Sequence, residues 1–432
     1  MVILHINVIS KMEELNYKHI IHVCSIKNHP IMELPSVLRE KYTDGLSSIM
    51  AELGVNDPYL KMICNVWCES IVGHSYTSFR NDPDKVKKAL SIQRIKLRFF
   101  RMSYMLLFDS YYLVETWDYN KIANLNELLQ EKYCKHFLKK THQSIHQYYT
   151  QNIENNKIPA VLIEHRRQNL RFENKPLKRV LVVANISSGK STLINALVGK
   201  NVCKSANMAC TDTLRFIFNK RNSDGFSIVN PKNGTIDYYP HYDNCFLSTN
   251  HVAFHFNSTM SDATICLIDT PGANNSEIHK HREITTNAIK HNNYDLLLFI
   301  SNSRYYGTTD DRKLLDIIAK ECKKPVVFVL NQLDAFKSKE DSVERMLSYF
   351  RSDLQKIGIR EPVICPVSAT AAFLMKQSEV SLDEEDKEDL ARYKEKFSRP
   401  FFDLPSFITH IKSENALEAT GIYYLEKNIK SI

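Results

Sequence analysis

The 432-residue chain is 43% hydrophobic and 25% charged, which is typical of a folded protein with room for two or three domains. Its net charge of +8 suits an anionic partner, such as a lipid headgroup or nucleic acid, without requiring one. The ten scattered cysteines indicate reduced thiols and not a disulfide framework. A signal peptide and an apolar run of about 18 residues are both missing, so we expect a cytoplasmic protein with at most peripheral contact at the inner face of a membrane.

Residues 1–175 are dominated by helical periodicity, with weak strand-like alternation and sparse turn residues. This pattern predicts an α-helical N-terminal domain that ends at a hinge, Asn174-Lys-Pro-Leu177. The predicted helices are Leu34–Leu53, Asp57–Gly73, Asp84–Trp117 (more than one helix), Asn124–Asn152 and Ile158–Phe172.

Residues 176–432 alternate short apolar runs with helical segments, which predicts an α/β domain with a mostly parallel sheet and flanking helices. Helices are also expected after Thr308, near Asp383–Phe397 and over Gly421–Ile432. The predicted strands are Val180–Val183, Leu214–Phe218, Ile265–Ile268, Leu296–Ile300, Val326–Leu330 and Val363–Val367.

A phosphate-binding loop is predicted between the strand Val180–Val183 and a helix that begins at Lys190. Backbone N–H groups there would point at phosphates from the positive end of the helix dipole. Lys190 would reach the β- and γ-phosphates, and the Ser191 hydroxyl would bind Mg²⁺. Ala184 replaces the first glycine of the usual pattern, so the turn must accommodate a methyl group. The other nucleotide-binding candidates are Asn185, Ser187 (also a catalytic candidate), Ser188, Gly189 and Thr192.

Two further segments are expected to close over the γ-phosphate and Mg²⁺. Asp269-Thr-Pro-Gly272 follows an apolar strand, so Asp269 can hold a Mg²⁺-bound water while the Gly272 N–H senses the γ-phosphate. Thr211 is the candidate threonine that closes over Mg²⁺, although an ordinary loop threonine remains the alternative. The long segment between Thr211 and Asp269 contains turn-rich stretches that predict additional hairpins at the sheet edge.

Base recognition is predicted in two loops that follow the next strands. In Asn331-Gln-Leu-Asp334, the Asp334 carboxylate would accept hydrogen bonds from guanine N1–H and the exocyclic amine, which adenine does not offer on that edge. Ser368-Ala369-Thr370 would support the base through backbone N–H groups. Because open α/β sheets bind ligands at the carboxyl ends of their strands, we expect these loops to converge on GTP.

These motifs resemble the large GTPases of the dynamin superfamily, in particular the bacterial dynamin-like proteins. The resemblance implies a dynamin-type GTPase domain at 176–432 that binds GTP, GDP and Mg²⁺ and hydrolyses GTP. It also implies self-association through the nucleotide face and a link to membrane remodelling. The similarity covers about Leu177 to Ile432 and lies in the stretches Ile186–Gly199, Ala209–Thr211, Leu267–Gly272 and Leu330–Asp334.

The chain departs from this family at two positions and in its length. Ile186 stands where eukaryotic dynamins have a water-positioning glutamine, so the water must be held by backbone, by Thr211 or by a partner. Gln332 replaces the usual lysine along the base plane, which should weaken nucleotide binding modestly. A stalk sequence is not recognised, so a companion dynamin-like chain is one expected partner.

Alternatives remain open for the function. One is a nucleotide-gated protein-binding module with little hydrolysis, and another is a ribosome- or RNA-associated GTPase, although nucleic acid is not expected as a partner. The basic stretch Lys85–Arg101 suits a membrane surface but is more typical of a core helix with a solvated face. A zinc site at His19, His22, Cys24 and His29 lacks a matching second pair and is not favoured.

Overall fold

A computed structural model describes residues 26, 29–54, 57–91, 102–135, 138–154, 158–185, 187–203, 213–221, 223, 225–229, 236–239, 249–271, 278–337 and 340–431. The chain divides into two compact units, the first ending at Asn174 and the second beginning at Lys175. Short segments between residues 222 and 242 alternate between the two units. The assignment of 1–175 and 176–432 as domains stays a prediction.

The first unit is helical, as the sequence predicts, and its core surrounds the helix Met102–Asp118. That helix is buried from Met102 to Val114 except at Tyr104, because other helices pack around it. Its buried Asp109 accepts hydrogen bonds from the Tyr42 hydroxyl at 2.5 Å and from His29 Nε2 at 3.3 Å, which satisfies the carboxylate. The described helices are Ser36–Leu53, Pro58–Val72, Pro83–Ser91, Met102–Asp118, Ile122–Leu128, Lys139–Gln151 and Ala160–Glu173, with 3₁₀ turns at Pro30–Glu33 and Tyr119–Lys121.

The single predicted helix Asn124–Asn152 is wrong. The structure has a helix at Ile122–Leu128, a π-helical turn at Leu129–Tyr133 and a separate helix at Lys139–Gln151. The turn closes with a hydrogen bond from the Cys134 N–H to the Leu129 carbonyl, and Cys134 leaves the helical conformation. Helical periodicity cannot reveal this break, because Leu129 and Tyr133 are buried on the same face as the residues around them.

Two further predictions, the basic helix and the zinc site, concern residues of this unit. Val86, Ala89 and Leu90 are buried in the helix Pro83–Ser91, which supports a core helix there, and residues 92–101 lie outside the described part. Of the zinc candidates only His29 is described, and its Nδ1 accepts a hydrogen bond from the Ile31 N–H. Within the described ranges, clusters of three or more metal-binding side chains are not found.

The second unit is built on a mixed, mostly parallel sheet. In chain order the described strands are β1 Lys178–Ala184, β2 Arg215–Asn219, β3 Phe226–Val229, β4 Ile236–Tyr239, β5 His251–Phe254, β6 Ile265–Asp269, β7 Leu296–Asn302, β8 Val326–Asn331 and β9 Val363–Pro366. Strand β4 and the start of β3 belong to the first unit. The seven that lie wholly in this unit have the order β5-β2-β6-β1-β7-β8-β9. Strand β2 runs antiparallel to β6, and the remaining neighbours in this order are parallel.

The sheet order explains where the predicted motifs lie. Strand β1 sits between β6 and β7, and Val180 to Val183 are at most 1% exposed. Its loop therefore leaves the sheet beside the ends of β6, β7 and β8. The described helices are Lys190–Val198, Ile278–His291, Thr309–Glu321, Val343–Lys356, Ala369–Lys376, Glu384–Phe397, Ser406–Thr409, Ala416–Ala419 and Ile422–Ser431, with 3₁₀ turns at Leu333–Ala335, Glu379–Ser381 and Pro400–Phe402.

The insertion between β2 and β6 differs from its prediction. Only hairpins are expected there, but β5 pairs with β2 in parallel, with Phe216 opposite His251. Strands β3 and β4 do lie in this segment, and the rings of Phe226 and Tyr239 stack with centroids 5.0 Å apart. Parallel pairing needs a crossover connection, which turn residues alone do not indicate.

A buried ion pair connects the helix Ile422–Ser431 to the helix Lys190–Val198, which follows the phosphate loop. Lys376 Nζ lies 2.6 Å from Glu426 Oε1 and donates to the Ala196 carbonyl at 2.7 Å. The other Glu426 oxygen accepts from the Thr259 N–H and hydroxyl, so both charges are fully paired. Among the helices within the described residues, none combines the length and apolar character needed to cross a bilayer.

Candidate functional site

The loop between β1 and the helix Lys190–Val198 has the backbone of a tight phosphate-binding turn. Gly189 has φ +82° and Ser187 has φ +61°, so two residues occupy the left-handed region. A Cβ at Gly189 would lie 2.4 Å from Asn331 Nδ2, so only glycine fits there. Ala184 is accommodated because it is the last residue of β1, paired opposite Ile300.

Three side-chain amides hold the carbonyl groups of this loop. Asn302 Nδ2 and Gln332 Nε2 donate to the Ser187 carbonyl at 2.9 and 3.0 Å. Asn331 Nδ2 donates to the Ser188 carbonyl at 2.9 Å. These bonds engage the carbonyl dipoles, whose negative ends would otherwise repel an anion in the loop.

The first residues of the loop are fixed by bonds of their own. The Ser188 hydroxyl donates to the Asn185 carbonyl at 2.8 Å, and Ser188 is 3% exposed. Asn185 Nδ2 donates to Asp311 Oδ1 at 2.5 Å, which ties the loop to the helix that Thr308 caps. The Ser188 and Asn185 side chains therefore hold the conformation of the loop.

Lys190 and Asp269, which the sequence assigns to phosphate and Mg²⁺, form an ion pair in which the side chains are 10% and 15% exposed. Asp269 ends β6, and the next hydroxyl, that of Thr270, donates to the Val182 carbonyl at 2.9 Å. The Cys203 thiol lies 3.8 Å from the second Asp269 oxygen. Burial, followed by the Asp269 charge, raises the pKa of Cys203 to about 12, so it stays a protonated donor. The site thus brings a cation and a hard oxygen ligand together at the end of the loop.

Asn331 joins the phosphate loop to the two predicted base-recognition loops. It is 1% exposed, and its Oδ1 accepts from the Ala369 N–H at 3.0 Å while its Nδ2 holds Ser188. We call this double contact the Asn331 clamp. Beyond it, Asp334 Oδ1 accepts from the Ser368 hydroxyl at 2.7 Å. Three loops that follow β1, β8 and β9 therefore meet, as the sheet order requires.

The remaining predicted site residues fall into three groups. Ser191 and Thr192 lie half-buried in the first turn of the helix Lys190–Val198, and Thr370 lies half-buried at the start of Ala369–Lys376. Gln332 contacts the phosphate loop through its amide, a role that sequence reasoning did not assign to it. Ile186, Thr211 and Gly272 lie outside the described residues.

Sequence reasoning missed four residues at this site, namely Asn302, Cys203, Tyr393 and Lys396. The Tyr393 hydroxyl is 3.5 Å from Asp334 Oδ2, and Lys396 Nζ donates to the Asp334 carbonyl at 2.6 Å. Both belong to the charge-rich helix Glu384–Phe397, where a lysine carries no local signal that separates it from a solvated one. Asn302 offered a weak signal, because it is a polar residue at the end of the apolar strand β7.

The fold and these converging loops define a P-loop GTPase domain. Residues 179–332 match the family model described as 50S ribosome-binding GTPase. The chain is also similar to the Arabidopsis thaliana protein described as "Probable transmembrane GTPase FZO-like, chloroplastic", with 28% identity over 216 residues. The match covers 49% of this chain and 21% of that protein, so the chain spans about a fifth of its relative's length. The resemblance to dynamin-like GTPases is confirmed.

Two solved structures are similar to this chain at low identity. A structure of an oligomerised bacterial dynamin pair is 16% identical with a TM-score of 0.36, covering 92% of this chain and 60% of that chain. Era of Aquifex aeolicus bound to GDP.AlF4- is 22% identical with a TM-score of 0.28, covering 50% of this chain and 56% of that chain.

Proposed function

We propose that the second unit binds GTP and GDP with Mg²⁺ and hydrolyses GTP to GDP and phosphate. The observation that carries this proposal is the Asn331 clamp, a buried amide that joins the phosphate loop to the base-recognition loops. A nucleotide needs its phosphate and base ends held at a fixed separation. The Asn331 side chain holds the two loops at a fixed distance, because it forms one hydrogen bond to each of them.

At the phosphate end, the backbone N–H groups of Ser187 to Ser191 and the Lys190 ammonium bind the phosphates. Ser187 acts through its backbone, whose carbonyl is fixed by two amides. Asn185, Ser188, Gly189 and Thr192 shape the turn and its helix start. Lys190 stabilises the charge that develops on the transferred phosphoryl group.

The oxygen donors at this end suit Mg²⁺, which prefers hard oxygen ligands. The Ser191 hydroxyl and the Asp269 carboxylate would hold it, with Thr211 as the proposed third ligand. When bound, Mg²⁺ neutralises charge on the β- and γ-phosphate oxygens. Gly272 is proposed to contact the γ-phosphate through its N–H.

At the base end, Asp334 reads guanine through its two carboxylate oxygens. Ser368 orients that carboxylate, and Ala369 and Thr370 support the base through the start of their helix. Asn331 joins this end to the phosphate loop, while the Gln332 side chain reaches Ser187 from the same loop. A carboxylate only accepts hydrogen bonds, so it favours guanine over adenine.

Hydrolysis proceeds by in-line attack of water, which Ile186 cannot position. We therefore expect turnover to depend on self-association through the nucleotide face or on a companion dynamin-like chain. Turnover per molecule should rise with protein concentration. A rate that stays flat and near zero would favour the alternative, a nucleotide-gated binding module.

The net charge of +8 and the relative described as a transmembrane GTPase support a peripheral membrane role as a proposal. We propose a cytoplasmic protein that contacts the inner face of an anionic membrane. In a sedimentation assay, the chain should pellet with vesicles that contain anionic lipid at low salt and stay in the supernatant at high salt. Equal binding to neutral vesicles would contradict the electrostatic basis.

A ribosome-associated role is the second candidate, favoured by the description of the matching family model. It requires RNA binding whose affinity falls steeply with salt concentration. A filter-binding assay with ribosomal RNA at two salt concentrations tests it. Binding too weak to measure at low salt would remove this candidate.

A further inference from the structure

The carboxylate proposed to read guanine is held from two sides. Asp334 Oδ1 accepts from the Ser368 hydroxyl of its neighbouring loop at 2.7 Å. Its other oxygen, Oδ2, lies 3.5 Å from the Tyr393 hydroxyl, which comes from the helix Glu384–Phe397. The two oxygens therefore have different partners, and this fixes the rotation of the carboxylate plane.

The backbone around Asp334 is held by the same helix. Lys396 Nζ donates to the Asp334 carbonyl at 2.6 Å and to the Phe336 carbonyl at 3.4 Å. The ammonium also lies 4.5 Å from the centroid of the Phe402 ring. Lys396 is half-buried, and this burial lowers the pKa of its ammonium group although the nearby Asp334 charge opposes the change. A cation that bridges two carbonyls restricts the backbone between them.

The helix that carries these two residues is itself well anchored. Asp383 caps its start by accepting from the Asp386 N–H at 2.8 Å. Leu390 and Phe397 are 4% and 2% exposed, and Tyr393 lies on the same helix face. Tyr393 and Lys396 are therefore presented to Asp334 from a rigid support.

We propose that Tyr393 and Lys396 are positioning residues for base recognition, which hold Asp334 in the orientation that meets both guanine N1–H and the 2-amino group. This inference rests on the proposed function, because it assigns them to the same nucleotide site. It predicts that the two residues set the preference for guanine over hypoxanthine, which lacks the 2-amino group. Neither residue is expected to touch the nucleotide.

The test compares the affinities of the full chain for GDP and IDP, by calorimetry with Mg²⁺ present. Lys396→Met keeps the side-chain stem over Phe402 and removes the ammonium. The preference for GDP over IDP should fall about fivefold, as expected for one misplaced hydrogen bond. The ratio is the decisive readout, because general loosening of the site would weaken both nucleotides alike.

Lys394→Met is the matched control. Lys394 lies on the same helix but pairs with Glu379 at 2.7 Å on the surface, with both side chains at least half exposed. It should leave the GDP-to-IDP ratio unchanged. Lys396→Arg, which retains a cation able to bridge both carbonyls, should recover most of the preference.

Tyr393→Phe provides an independent variant if Lys396→Met melts at a much lower temperature. It removes only a hydroxyl and should lower the GDP-to-IDP ratio about twofold, since the 3.5 Å contact is long. If the variants fold and their GDP-to-IDP affinity ratio is unchanged, this inference is wrong and the proposed function is unaffected. A wild-type chain that binds no guanine nucleotide, or binds GDP and IDP equally, overturns the base-reading part of the proposed function as well.

Discussion

The Asn331 clamp gives the sharpest test of the site, because one buried side chain serves two loops. Asn331→Ala removes the bonds to the Ser188 carbonyl and the Ala369 N–H, at 2.9 and 3.0 Å. Each lost bond to a buried group costs about 1–3 kcal/mol, so we expect about 3 kcal/mol less stability. For a unit of this size that lowers the Tm by about 6–12 °C.

The same change should weaken GDP binding by at least about tenfold, because the phosphate loop loses its fixed distance from Asp334. Thermal unfolding without nucleotide and calorimetry with GDP measure the two effects separately. Asn428→Ala is the control, since its amide donates to the Tyr424 carbonyl within one helix at 2.8 Å and joins no loops of the site. If both variants melt alike and bind GDP as the wild type does, the clamp does not connect the loops energetically.

Three further variants probe the site. Lys190→Ala should abolish GTP turnover and weaken GTP binding by about a hundredfold or more, since the charge-assisted contacts to phosphate are lost; turnover at the wild-type rate would remove the phosphate-loop assignment. Asp334→Asn should shift the preference from guanine toward xanthine, because an amide donates where a carboxylate only accepts; continued preference for GTP over XTP in competition binding would refute the base-reading role. Gly189→Ala should lower both Tm and GDP affinity, because its Cβ would lie 2.4 Å from Asn331 Nδ2 at φ +82°. Gly358→Ala is its control, having φ +99° but open space around the Cβ, and should leave GDP affinity unchanged; equal losses of affinity in both would show that backbone strain alone is responsible.

The buried strands could be predicted closely because they leave a strong local signal. A parallel strand covered on both faces is an unbroken apolar run, and β1, predicted as Val180–Val183, spans Lys178–Ala184. Strand β8, predicted as Val326–Leu330, extends one residue further to Asn331. The strand pairing at the β5 edge of the sheet was harder to predict, because the parallel pairing of β5 with β2 depends on a crossover connection and not on a local sequence pattern.

The positions of the motif residues at one edge of the sheet could also be predicted, but the side-chain contacts that they make could not. Order along the chain, together with the rule that parallel strands end at one edge, places Lys190, Asp269, Asn331 and Ser368 at the same edge. Their nucleotide contacts stay predictions, as do the roles of Thr211 and Gly272. The structure adds that Asn331 and Gln332 reach the phosphate loop directly.

The class of fold, the order of the motifs and the chemistry of the residues that follow each strand are local properties of the chain, so they can be predicted from the amino-acid sequence. Which distant side chains support those motifs depends on tertiary packing. Lys396 is 62 residues from Asp334 along the chain, and Asn302 is 115 from Ser187. Such contacts depend on how helices pack against the sheet, and a charged or amide side chain looks the same in sequence whether it faces water or a loop carbonyl.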